Sequence, residues 1–94
     1  MNINLQCWYG ITTLNLKVND ITLQHKIVDL LNIYYNKVIK ISPKCISSLT
    51  WDFCLPRMRL ISKKNLIICD NNKTLKNYDI KENDNFIVIC DFNY

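Results

Sequence analysis

The residue types able to do chemistry are few in this chain and stand far apart. Five cysteines, Cys7, Cys45, Cys54, Cys69 and Cys90, are odd in number and include no Cys-x-x-Cys pair, and His25 is the single imidazole. Structural zinc needs four such ligands, in closely spaced pairs, so the spacing predicts no metal centre. Cys7, Cys54 and Cys90 fall in strand-like patterns, where a thiol acts as a small hydrophobe; buried, inert thiols are expected. A general base needs a carboxylate or nucleophile held beside it. His25 has none in its helical pattern and is expected at the surface. The acidic residues Asp70, Asp79, Glu82 and Asp84 lie in a stretch whose turns account for them. A single glycine cannot build a phosphate-cradling loop. The expectation is a chain that is not an enzyme and takes no cofactor and no small-molecule substrate.

What remains is surface. Between residues 36 and 64 seven basic side chains, Lys37, Lys40, Lys44, Arg57, Arg59, Lys63 and Lys64, face Asp52 alone, a net +6 inside a chain of overall +4, so the rest carries −2. Such segregation fits an acidic partner, either RNA backbone or an acidic protein face. Solvated lysines in loops explain it equally well. No aromatic-interleaved motif accompanies these charges, so sequence-specific base readout has no support.

The elements that must position these groups can be read from periodicity. Ile3, Leu5 and Cys7 alternate with Asn4, Gln6 and Trp8, and Leu14, Leu16 and Val18 alternate with Asn15 and Lys17; this is the period-2 mark of half-buried strands. Gly10 stands between them, where a hairpin reverses. Thr22 or Asp20 offers an N-cap, after which Leu23, Ile27, Leu30, Leu31 and Tyr34 recur at helical spacing, predicting a helix over 23–35. The stretch from 36 to 50, with Val38, Ile39, Ile41 and Ser42-Pro43, reads as a long insert. Thr50 to Leu55 reads as a third strand, with 59–62 as an alternative register or a continuation past Pro56, and Asn65 to Cys69 as a short fourth. Phe86 to Cys90 is the last. With Phe86 and Val88 facing the helix, Ile87 and Ile89 point outward, with Cys54, or Ile61 in the other register, beside them. An exposed apolar patch of that kind marks an interface; a covering insert carrying Trp51 is the competing reading.

Length allows one domain, residues 1–94, with one modest core. The longest apolar runs are far too short to cross a bilayer, and the start lacks a basic, then apolar, secretory pattern. An intracellular protein without membrane contact is expected.

Between the fourth and last strands, Asn71 to Asp84 reads as a crossover that brings the last strand beside the first in parallel. Thr74 starts a short helical turn, Leu75, Tyr78 and Ile80 anchor it, and Asn83-Asp84-Asn85 makes the corner. This T-L-x-x-Y-x-I stretch before an apolar strand is similar to that of ubiquitin-like domains. The resemblance implies an α+β fold of the β-grasp type: a mixed sheet of four or five strands, one main helix, and a long insert between helix and third strand. A narrower likeness joins Ile46, Ser47, Trp51, Phe53, Leu55, Leu75, Tyr78, Ile80 and Asp84 to the ubiquitin-like proteins of the minor-spliceosome small nuclear ribonucleoprotein, whose Trp, aromatic and Leu lie on the third strand. Ser48 stands where that family has a second Trp, Asp79 replaces its usual Gly, and the stretch 56–66 is longer. The likeness implies a nuclear protein acting in pre-mRNA splicing through a protein partner in a ribonucleoprotein complex, with RNA nearby. Conjugated members of the fold need a C-terminal Gly-Gly; a chain ending ICDFNY is expected to be non-conjugated.

Overall fold

In the computed structural model, residues 1–9, 12–40 and 50–90 are described. Gly10, Ile11, Ile41, Ser42, Pro43, Lys44, Cys45, Ile46, Ser47, Ser48, Leu49 and the four C-terminal residues lie outside them. Strands β1 (Ile3–Tyr9) and β2 (Thr12–Val18) pair antiparallel, Ile3 opposite Val18 and Leu5 opposite Leu16. Ile3, Leu5 and Val18 are buried, Leu16 packs partly against the core, and Leu14 is 40% exposed. Burial therefore fades along β2 toward the hairpin end.

Helix α1 (Ile27–Tyr34) lays Ile27, Leu30, Leu31 and Tyr34 against the sheet and runs on as a π-helical turn, Tyr35–Ile39. The sequence points to a start at Leu23, and the structure moves it four residues later. Residues 22–25 instead close a turn in which the Thr22 N–H donates to His25 Nδ1 at 2.9 Å. Lys26 then sits extended and bridges Thr74. The Asp29 carboxylate accepts from the Lys26 N–H at 2.8 Å, while Lys73 O and Asn71 O accept from the Ile27 and Val28 N–H groups. The crossover thus satisfies donors that a helix start leaves orphaned, a contact between distant segments that local periodicity does not contain.

The stretch read as a third strand is helical. Thr50 accepts from the Phe53 N–H through its side chain at 3.3 Å and caps α2 (Trp51–Cys54), followed by a 3₁₀ turn, Leu55–Arg57, that takes up Pro56. Trp51, Cys54 and Leu55 stand at i, i+3 and i+4, helical spacing that six residues also allow to be read as alternation. The third strand is β3 (Met58–Ser62), close to the alternative register, and β4 (Ile67–Ile68) pairs with its end.

The crossover follows the expected plan. Thr74 caps a 3₁₀ turn, Leu75–Tyr78, and Asn77 Oδ1 accepts from the Thr74 N–H at 3.0 Å. Leu75 and Ile80 are buried, and the Tyr78 hydroxyl accepts from the Asp70 N–H at 2.7 Å. Strand β5 (Asn85–Cys90) then runs parallel to β1 and antiparallel to β3. The sheet is mixed, in the order β2-β1-β5-β3-β4, with helices on one face. The architecture is α+β and compatible with a β-grasp.

Asp79 ends the 3₁₀ turn at φ 51°, ψ 48°. That left-handed region disfavours a Cβ, although Asp tolerates it better than most residues. Asp79→Gly is expected to leave the fold unchanged and to raise stability by up to about 1 kcal/mol. A urea midpoint that falls in the variant would contradict this.

Candidate protein-interaction surface

Alternation on β5 and β3 divides two faces. Phe86 and Val88, with Met58, Leu60 and Ser62, are buried toward the helices. Ile87 and Ile89 point the other way, and the register places Ile61 opposite Ile87 and Arg59 opposite Ile89. Ile68 is opposite Ile61, and Gln6 is beside Ile87. One row across the sheet therefore reads Gln6, Ile87, Ile61, Ile68, and the next holds Ile89 and Arg59. Ile68 is 63% and Ile89 44% exposed, while Ile61 and Ile87 are half-buried by their neighbours. Four isoleucines on one side of a small sheet form the apolar centre of this surface, with polar residues at its rim.

Of the residues expected to form a partner face, Ile61, Ile87 and Ile89 stand together. Cys54 does not: it is fully buried on α2, because the segment is a helical turn packed under the sheet and not a strand in it. Trp51 is also on α2, half-buried, with its ring edge-on to Tyr35 at 5.6 Å between centroids. It braces the helical layer and does not cover the isoleucines. Ile68 was missed by the sequence reading, as were exposed Leu66 and Ile67 beside it. Their signal was available: three consecutive apolar residues at a turn and the two-residue edge strand after it cannot all face a core.

The basic residues are dispersed. Lys37 and Lys40 are exposed on the π-helical turn, in the helical layer. The Arg57 guanidinium stacks 3.8 Å from the Phe53 ring centroid and donates to Phe53 O. Arg59, on the isoleucine face, donates to Met58 O at 2.7 Å and so lies along the strand. Lys63 is exposed at the turn after β3, and Lys64 there donates to Asp79 O and lies 3.7 Å from the Asp84 carboxylate. A partly exposed ion pair of this kind contributes little. Lys44 is outside the described residues. Among the described residues, the basic side chains of the segment are not gathered onto one surface.

Beside Arg59 and Ile68 a shallow cleft is completed by Cys69, Asp70 and Asn71. It lies where the sheet edge turns into the crossover, and Asn71 Oδ1 is buried there without a hydrogen-bond partner. Among the described residues no cluster of three or more His, Cys, Asp or Glu side chains could hold a metal ion, and no helix is long and apolar enough to cross a membrane. No family profile matches the chain, and no curated protein is similar to it.

Proposed function

We propose that this chain is a ubiquitin-like protein-interaction module of β-grasp fold, not an enzyme, that docks a protein partner on the outer face formed by Ile61, Ile68, Ile87 and Ile89. The observation that carries the reading is the row of isoleucines on a sheet whose other face is occupied by helices. A contiguous exposed apolar patch on a small domain marks an interaction site, and the flanking Arg59 and Gln6 supply the polar rim such sites carry. The strand order and the single crossover support the β-grasp assignment.

The assembly proposed for it is the minor-spliceosome ribonucleoprotein, in the nucleus. That rests on the likeness at Leu75, Tyr78, Ile80 and Asp84, with Ile46 and Ser47. The helical turn at Trp51–Cys54 departs from the family's pattern and weakens the match there. Dispersal of the lysines and arginines favours protein contact over RNA as the principal interaction. Affinity purification of the tagged chain from nuclear extract, with stable partners identified by mass spectrometry, tests the assignment. Spliceosomal proteins are expected in the recovered set; their absence, with a different stable complex in their place, would reassign the module as an adaptor of that complex.

A further inference from the structure

We propose that the open edge of β2 pairs antiparallel with the same edge of a second copy of this chain, joining two five-stranded sheets into one about a two-fold axis at Asn15. The inference does not depend on the partner proposed above. The sheet ends in β2 on one side and in β4 on the other. Unpaired backbone groups along a sheet edge invite another strand, and proteins blunt such edges by shortness, proline, bulges or charge. Shortness blunts β4, which is Ile67–Ile68 alone. Strand β2 runs for seven residues, Thr12–Val18, in unbroken register with β1, without proline and with Lys17 as its one charge.

The neighbouring pairings fix which backbone groups this edge offers. The Asn4 N–H donates to Asp84 O at 2.9 Å, on the β5 side of β1. Successive residues of a strand direct their N–H and C=O to opposite sides, so Ile3, Leu5 and Cys7 direct theirs at β2 and exchange bonds with Val18, Leu16 and Leu14. The residues between, Thr13, Asn15 and Lys17, direct theirs away from β1. Among the described residues, the backbones of Asn15 and Lys17 have no bond on that side.

One register uses the whole edge. Asn15 is the middle residue of β2 and an outward one, so a two-fold there sets Asn15 opposite Asn15 of the second copy and Thr13 opposite Lys17, each pair exchanging both N–H···O=C bonds. Full overlap and full hydrogen bonding coincide. A two-fold at Lys17 would set two ammonium groups directly opposite, which is unfavourable, and would overlap fewer residues. On the face toward the helices the Asn15 register sets Leu14 opposite Leu16. These are the inward residues of β2 that the core covers incompletely, Leu14 at 40% exposure and Leu16 half-buried, and each gains cover from the second copy. An isologous contact closes at two copies, and here it leaves only the short β4 edges at the ends. The axis is perpendicular to the sheet, so both isoleucine faces look the same way.

The test is sedimentation equilibrium of the chain from micromolar to millimolar concentration, with NMR on a mixture of isotopically labelled and unlabelled chain. The expected mass rises from one chain to two and no further, with interchain contacts from Leu14 to Leu16 and slowed exchange of the Thr13, Asn15 and Lys17 amides as concentration rises. Asn15→Pro removes an N–H that faces only the open edge, where strands tolerate proline, and is expected to stay folded and monomeric throughout. Asn15→Asp sets two like charges opposite each other at the axis and is expected to weaken the dimer several-fold, the loss shrinking in high salt. The proposal is overturned if the parent chain stays monomeric at millimolar concentration, if its mass grows beyond two chains, if the interchain contacts join Ile68 or Ile89 instead, or if folded Asn15→Pro or Asn15→Asp dimerises as the parent does.

Discussion

Phe86→Ala is expected to cost about 3–5 kcal/mol of folding stability, the range for emptying a buried aromatic site. Phe86 is the largest of the fully buried side chains. It stands on β5, between Leu5 on β1 and Ser62 on β3, both fully or almost fully buried. Neighbouring strands on both sides hold the backbone in place, so the site cannot collapse around the missing ring. A domain of this size has a total stability of about 5–15 kcal/mol, and the loss consumes much of it. With a urea dependence of about 1–1.5 kcal/mol per M, the unfolding midpoint should fall by roughly 2–5 M, or the variant should be unfolded in buffer. Ile89→Ala, three residues away but 44% exposed, serves as the control and should stay within about 1 kcal/mol of the parent. Equal losses for the two would mean that β5 does not divide a core face from an open face.

The second large effect concerns binding. The double change Ile68→Lys and Ile89→Lys is expected to weaken the module's protein partner at least about 30-fold, equivalent to about 2 kcal/mol, as when a central apolar contact is lost. Folding should be nearly unaffected, because both side chains lie on the exposed face and a lysine can extend its charge past the rim. Lys37→Glu with Lys40→Glu changes charge far more, yet lies in the helical layer and should leave that affinity within a few-fold. Titration calorimetry with the partner recovered by purification reads both. If the lysine pair matters and the isoleucine pair does not, the interface lies on the helices, and the outer face is not the docking surface.

Much of the scaffold was legible locally. Alternation of Ile3, Leu5 and Cys7, and of Phe86 and Val88, gave both central strands and the face each residue takes, because a period of two leaves little freedom once one face is buried. Thr74, Leu75, Tyr78 and Ile80 gave the crossover, since polar turn residues around isolated apolar anchors fit little else. The third strand was misplaced because Thr50 to Leu55 is short enough to satisfy two periodicities, and the choice between them lay in whether Thr50 capped a turn. The helix start was misplaced because carbonyls of Asn71 and Lys73 decide it from more than forty residues away. The misplaced third strand is what put Cys54 on the outer face.

The sequence by itself determined the alternation on the central strands and the crossover that makes them parallel neighbours, because these depend on residue type and on spacing within a few positions. Only the tertiary structure decided which isoleucines share a row and that the described basic residues part company. Register across a sheet is set by pairing between distant segments, and no local pattern records which side chains that pairing will place side by side.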